Sequence, residues 1–397
     1  MSHGKVRFNT LAVHGAGMPD LTKIRPVSMP IYQSSEFVFN SAEQGAAVMS
    51  GQEPGFVYTR LGNPTSQDFE KRMALLEGTD EGISFASGLA AVAAVILTYC
   101  RPGDNIISSA PIYGGTFGLF KDLMPKMNIE IIYLPAKDIH NQLSAKANSR
   151  TKLVYIETPA NPTLDVVDIA ETVKAAKKHG LKVVIDNTFA TPCLQRPIEM
   201  GVDIVLHSAT KYICGHGDTM GGVVVASKAE IDQIRPMAFK NLGGSIAPLT
   251  GWLMSRGLQT LPLRMERHSQ NGMAIARFLE KHPQVEKTCY PGLESCPSHA
   301  VASKQMSGGY GGVLAIDIKG GREAGRKFQN NLKLCKLAVS LGSVDTLVTH
   351  PASTTHLSYS ESDLAALGMT PGFVRIAVGI EDPQDVIEDL DQALSKI

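Results

Sequence analysis

Asp203-Ile-Val-Leu-His-Ser208-Ala-Thr210-Lys211-Tyr212 is the stretch that decides how this chain is read. Asp203 to Leu206 is an apolar run and reads as a short buried strand. The polar residues that follow run into Gly215-His-Gly-Asp218, a turn. A lysine just past the C-terminal end of a strand lies where open α/β sheets hold their ligands. Ser208 and Thr210 place two hydroxyls before it, which suits an anionic group held close to a reactive amine. Taken alone, the stretch fits a surface lysine after a polar turn equally well. The flanking chain has to decide.

Upstream, strand and helix alternate from about residue 65. Thr65 to Leu76 is predicted helical, with Phe69, Met73 and Leu76 on one face. Gly82 to Ala86 is a short strand, Ser87-Gly88 a turn, and Leu89 to Tyr99 an almost wholly apolar helix. Such a helix start, with Ser87, Gly88 and Leu89 in its first turn, offers unpaired N–H groups to an anion. A plain helix cap fits it too. Asn105–Ala110 is a further strand, and Tyr113-Gly-Gly115-Thr116 opens the next helix, with room above Tyr113 for a flat ligand. Lys152–Glu157 is a strand ended by Thr158-Pro-Ala-Asn161-Pro162. Asp168-Ile-Ala-Glu171 reads as a capping box, and Gly180 as the residue ending that helix. Lys182–Ile185 is a strand closed by Asp186, a carboxylate that needs a positive or hydrogen-bonding partner there. Four strand ends thus bring forward Ser87-Gly88, Asn161, Asp186 and Ser208/Thr210/Lys211 on one rim. Gly221–Ser227 is read as another strand of the same sheet.

The chain's 397 residues suffice for two domains. Thirty-eight basic and 38 acidic side chains balance, which argues against nucleic acid or an anionic membrane as the main partner. No apolar run reaches membrane-spanning length, and Met1–Phe8 lacks a signal peptide's apolar core. The six cysteines show no CxxC pair and no metal-type spacing, so reduced thiols, no metal and a cytoplasmic location are expected. Residues 1–60 have little periodicity and read as an irregular arm with its own aromatics, suited to packing on a partner subunit. Tyr58 and Arg60 close the arm in a Gly/Pro-rich loop that suits phosphate. The expected boundaries are an arm over 1–60, a large domain over 61–255 and a smaller α+β domain over 256–397. In the last, Pro262 breaks a long helical stretch. Val313–Ile318 and Gly372–Ile380 are strands, the second carrying Arg375, and Gly321–Leu332 and Pro383–Lys396 are helices.

An amine, a carboxylate, an anion site and an aromatic lid suit pyridoxal 5'-phosphate (PLP), which is carried by a lysine and needs a carboxylate at its ring nitrogen. Lys211 and Asp186 would fill those places, and Ser87, Gly88, Leu89, Ser208 and Thr210 would hold the phosphate. Tyr113 would stack on the ring, and Arg375 would clamp a substrate carboxylate. The motifs Tyr58-x-Arg60-x-x-Asn63-Pro64-Thr65, Phe85-Ala-Ser-Gly88, Glu157-Thr-Pro-Ala-Asn161-Pro162, Val184-Ile-Asp186-Asn-Thr188, Ser208-Ala-Thr-Lys211-Tyr212, Ser340-Leu-Gly342, Pro351-Ala-Ser-Thr-Thr-His356 and Val374-Arg375-Ile-Ala-Val-Gly379 span almost the whole chain. By them it resembles the Cys/Met-metabolism family of PLP enzymes. The resemblance implies a fold type I (aspartate-aminotransferase-like) α/β architecture with a mostly parallel seven-stranded sheet and a smaller C-terminal domain. It implies Lys211 as the PLP carrier, Asn161 as a cofactor contact and Ser340 with Arg375 as substrate contacts. It implies that Tyr58 and Arg60 reach the neighbouring subunit's cofactor, in a homotetramer built from dimers. Within the family the resemblance is to the methionine γ-lyase branch. That implies α,γ-elimination from a sulfur amino acid, with Lys211 moving the Cα proton and Tyr113 protonating the thiol as it leaves. That branch usually has Cys where this chain has Gly115, and Asp where it has Asn241. Cystathionine γ-lyase and γ-replacement enzymes share the early chemistry and are the alternatives.

Overall fold

The computed structural model describes residues 6–15, 26–355, 357, 360–366 and 368–397. Met1–Lys5 of the N-terminal reading and His356, the end of the Pro351–His356 motif, lie outside these. Strands form where apolar runs of four to seven residues sit between turns. In the first part of the chain they are β1 (Glu81–Phe85), β2 (Asn105–Ala110), β3 (Glu130–Pro135), β4 (Thr151–Glu157), β5 (Lys182–Asp186), β6 (Ile204–His207) and β7 (Gly222–Ala226). They make one sheet in the order β1-β7-β6-β5-β4-β2-β3. β7 runs antiparallel to both β1 and β6, and every other pair is parallel. Side chains alternate across the sheet. Ile106, Tyr155, Val184, Leu206 and Val224 join one core with the apolar helix Gly88–Tyr99. Ile107, Val154, Ile185, Val205 and Val223 join the core on the other face. The central strands β6 and β7 are buried at every residue, as expected where both faces are covered.

The second sheet holds β8 (Val285–Cys289), β9 (Val313–Ile318), β10 (Lys336–Leu337), β11 (Leu347–Thr349) and β12 (Phe373–Ala377), in the order β10-β11-β12-β9-β8. Only β10 and β11 pair in parallel. Helices Gly321–Asn331 and Pro383–Leu394 pack on it through Phe328, Val386 and Leu390. Pro262 does break the long helical stretch: one helix ends at Leu258 and the next begins at Leu261, with the proline in its first turn, where no N–H is needed.

The expectation of an irregular arm over residues 1–60 needs correction. Phe8–His14 and Ala42–Met49 are helices. Each is seven or eight residues long, too short for a clear apolar period. The first packs its own chain: Arg72 donates to the Val13 carbonyl at 3.2 Å, and Ala12 is buried in the core. The second is opened by Ser41, whose hydroxyl accepts from the Gln44 amide at 3.2 Å. Strands β3, β8, β10 and β11 and helices such as Ile139–Lys146, Lys228–Arg235 and His299–Gln305 lie beyond the elements expected.

Candidate active site

The carboxyl ends of β1, β4, β5 and β6 share one rim, because β1 and β6 both oppose β7 and so run the same way. Ser87-Gly88, Glu157, Asp186 and Ser208 leave the sheet there together. Thr188 links two of these turns. Its amide donates to Asp186 Oδ1 at 3.0 Å, and its hydroxyl accepts the Ser208 amide at 2.8 Å. Gly88 approaches Ser208 so closely that a Cβ would lie 2.8 Å from the serine Cβ. Only glycine permits that contact.

The cradle at this corner is built mainly of backbone. Ser87 caps the helix, its hydroxyl accepting the Ala90 amide at 3.1 Å. The Gly88 and Leu89 amides head the same helix and have no acceptor among the described residues. The Thr210 hydroxyl donates to the Gly221 carbonyl at 3.2 Å and accepts the Gly221 amide at 3.0 Å, tying the lysine loop to β7. The Ser208 hydroxyl has no such partner, and the two free amides point a helix's positive end at this corner.

Lys211 leaves the loop toward the second sheet. Its Nζ donates to the Ser340 hydroxyl at 3.0 Å. Gly342, at φ +77°, lets that segment come close: a Cβ there would lie 2.6 Å from the Tyr212 amide. Arg264, from the helix Leu261–Leu279, holds the loop from behind through the Tyr212 carbonyl at 2.6 Å and the Gly257 carbonyl at 2.7 Å. Arg375 on β12 stands beside the amine. Its Nη1 donates to Asn161 Oδ1 at 2.9 Å and its Nη2 to the Ser340 carbonyl at 2.9 Å, while its buried Nε has no partner among the described residues. Burial first, and then the Arg375 charge, lower the Lys211 pKa to about 8. The neutral amine is the nucleophile, so its supply grows as pH rises through that value. The rate at which cofactor-free protein regains visible absorption on adding PLP is therefore expected to rise to about pH 8 and level off. An ordinary lysine would drive the rise beyond about pH 10.

Asp186 is buried, and both its hydrogen bonds among the described residues, from the Thr188 amide and hydroxyl, fall on Oδ1. Oδ2 has no donor among the described residues. Burial raises the Asp186 pKa, against the Thr188 bonds and His207. A buried carboxylate with one free oxygen is a site for a protonated nitrogen. Glu157 is the residue that sequence reasoning missed. It is the register partner of Asp186 on β4, it is buried, and burial and then Asp186 push its pKa up to about 8. Its Oε2 accepts the Tyr113 amide at 2.8 Å and its Oε1 the Asn161 amide at 2.8 Å. One carboxylate thus fixes both the aromatic lid and the residue that holds Arg375. In the sequence Glu157 showed only as the end of an apolar strand and the first residue of the Glu157–Pro162 motif, with no role attached to it.

Tyr113 is half exposed at the rim, over Gly115: a Cβ at 115 would fall 2.4 Å from the tyrosine ring. Beyond it opens a cavity of about 970 Å³, lined by Tyr113, Gly115, Asn161, Arg375 and mostly apolar residues such as Leu134 and Met369. Tyr58 and Arg60 are not brought to their own chain's lysine. Arg60 donates to the Phe239 carbonyl at 2.8 Å and lies 5.5 Å over the Tyr58 ring, which is itself exposed.

A mostly parallel seven-stranded sheet with a smaller α+β domain beside it, a buried amine at the rim and an uncompensated carboxylate together define a fold type I PLP enzyme. Residues 9–395 match the family model described as Cys/Met metabolism PLP-dependent enzyme, and the chain belongs to that family. It is 43% identical to an L-methionine gamma-lyase of Fusobacterium nucleatum subsp. nucleatum over the full length of both. It is 44% identical to the L-methionine gamma-lyase of Pseudomonas putida over 92% of each chain. It is 40% identical to a homocysteine synthase of Schizosaccharomyces pombe over 98% of each. Among the described residues no helix is long and apolar enough to cross a membrane.

Proposed function

We propose that this chain is a carbon–sulfur lyase that carries out α,γ-elimination on L-methionine or a related sulfur amino acid, giving a thiol, 2-oxobutanoate and ammonia. The observation that carries the reading is the continuity between the Lys211–Ser340–Arg375 cluster and the apolar cavity beyond Tyr113. A carboxylate held by Arg375 leaves an uncharged γ-thioether to fill that cavity. When bound, PLP is the electron sink that makes the substrate's Cα and then Cβ protons acidic.

Each residue then has a task. Lys211 would carry the cofactor and, once freed, would take the Cα proton and move it away from Cα. Asp186 accepts from the ring nitrogen. The Gly88 and Leu89 amides, the Ser208 hydroxyl and the Ser87–Thr210 framework hold the phosphate. Tyr113 covers the ring and protonates the departing thiolate. Arg375 offers its free Nε to the substrate carboxylate, and Asn161 and Ser340 keep it and the amine in place. Tyr58 and Arg60 serve the partner subunit's phosphate, in a homotetramer of two dimers with shared sites. The fully exposed Val27 and Val38 and the exposed Met49 give the first 60 residues apolar surface suited to that contact. The large domain then runs over 61–255 and the small one over 256–397. All six cysteines are free thiols, which suits a cytoplasmic location.

Gly115 favours one second reading, γ-replacement or cystathionine cleavage, because it leaves the cavity wide where a side chain would narrow it. Assaying keto acid from methionine, homocysteine, cystathionine, cysteine and O-acetylhomoserine separates the readings. Keto acid from methionine without added thiol is the expected result. Product from O-acetylhomoserine only when a thiol is supplied would replace the proposal with the second reading. In the same assay Gly115→Cys must displace the Tyr113 ring. Its kcat/KM ratio of methionine over cystathionine is expected to rise about tenfold, the scale of one added group in an apolar pocket.

A further inference from the structure

Away from the active site two sulfur atoms face each other. Cys289 ends β8, and Cys296 lies seven residues on, in the turn before the helix His299–Gln305. Their Sγ atoms are 3.3 Å apart. A disulfide needs about 2.05 Å, so an approach of little more than about 1 Å closes the bond. Cys296 is buried, whereas Cys289 is half-buried and lines a cavity of about 170 Å³ with Thr163, Lys137 and Lys287. Cys289 Sγ also lies 3.5 Å from the Thr163 carbonyl, within reach for its single proton. Thr163 stands two residues after Asn161, the partner of Arg375.

We infer that Cys289 and Cys296 form a thiol modification site, which a small aliphatic disulfide entering the Cys289 cavity converts to an intrachain disulfide. Cys289 is the entry sulfur because it lines the cavity, and Cys296 is the resolving one because it is enclosed. The Cys289 sulfur attacks the external disulfide RS–SR, whose S–S bond breaks and releases one RS⁻. Cys296 then attacks Cys289 in the mixed disulfide, forming the Cys289–Cys296 bond and releasing the second RS⁻. Two protein thiols are oxidised, RS–SR is reduced to two RSH, and the two thiol protons leave with them. The pair is prepared for this. The hydrogen bond from Cys289 is the first cause holding the Cys296 pKa down, to about 6, and the same bond, with burial, raises that of Cys289. One proton crossing the 3.3 Å gap moves the charge to the entry sulfur. Closure removes the one proton that Cys289 shares between Cys296 and the Thr163 carbonyl, so the Thr163 contact is lost and the loop that carries Asn161 is freed. The expected effect is a KM for the amino-acid substrate about fivefold higher, the factor one neutral hydrogen bond carries, with kcat unchanged.

The test uses the holoenzyme and 2-hydroxyethyl disulfide, followed by digestion with trypsin and mass spectrometry. Cys289 and Cys296 fall in one fragment, Thr288–Lys304. That fragment is expected to lose two hydrogens while the other four cysteines stay free, and dithiothreitol is expected to reverse the change. Cys296→Ser should stop at a mercaptoethanol adduct on Cys289, and Cys289→Ser should leave Cys296 unmodified. An unchanged fragment in the native protein, or a lasting adduct on Cys289 with Cys296 present, overturns the site. The readout is covalent, so it stands or falls apart from the identity of the substrate. A closed disulfide with an unaltered KM would overturn the link to the Asn161 loop.

Discussion

Lys211→Ala protein is expected to lose turnover by at least about three orders of magnitude, within the range that one positioned proton carrier supplies, before its covalent role is counted. Borohydride treatment should no longer fix the cofactor to the chain, a loss seen by mass and independent of any substrate. The fold should survive, because the loop is held without that side chain. The Lys211 amide donates to the Ser208 carbonyl, and its carbonyl accepts from Gly215. Arg264 still grips the Tyr212 carbonyl. Truncation also removes an amine whose charged form burial disfavours, so thermal stability should hold or rise. Lys211→Arg is the matching control. It keeps a cation near Ser340 but cannot give up its proton at working pH, so it should be as inactive as the alanine protein. A small primary amine in the assay should partly restore Lys211→Ala and leave Lys211→Arg unchanged. Unimpaired turnover in either variant would remove this residue from the chemistry.

Much of this was legible in the sequence because parallel strands deliver their chemistry at one end. Ser87-Gly88, Asp186 and Ser208–Lys211 each follow an apolar run with a turn behind it, and a common rim follows from topology alone. Contacts made by backbone left no such trace. Glu157 works through the amides of Tyr113 and Asn161, which carry no side-chain signature. Thr210 reads as a phosphate hydroxyl, yet in the fold its hydroxyl is occupied by Gly221. Strand direction was hidden as well: Gly222–Ala226 is as apolar as its neighbours, and only its connections make it antiparallel. β3 sits at the sheet edge and half-exposes Ile131, Ile132 and Tyr133, so its pattern shows neither a buried run nor a clean alternation. Tyr58 and Arg60 are proposed to reach a second chain's cofactor, and a single chain's pattern holds no information on such a contact.

Asp186→Asn is expected to lower kcat by about ten- to a thousandfold while PLP still binds, because an opposite charge at hydrogen-bonding distance shifts a protonation equilibrium by about that factor. The same substitution should act in the opposite direction on the cofactor-free protein. Burial raises the Asp186 pKa, and burial with Asp186 beside it raises that of Glu157 to about 8. A carboxyl group whose folded pKa is raised binds more protons folded than unfolded. Its contribution is complete below the unfolded value near 4 and is lost as pH rises through the folded one. Cofactor-free wild type should therefore lose stability between about pH 4 and 8, with Glu157 setting the upper end. Asparagine at 186 removes one of two like charges that face each other across β4 and β5. The window for Glu157 then moves to lower pH, and the variant without cofactor should melt above wild type at pH 8. With PLP the order should reverse, since a carboxylate at 186 would receive the cationic ring nitrogen as asparagine would not. Melting curves with and without PLP at pH 5 and pH 8 give all four values. Equal melting of the two cofactor-free proteins at pH 8, together with undiminished turnover, would show that the carboxylate at the end of β5 neither bears the strain of burial nor receives the ring.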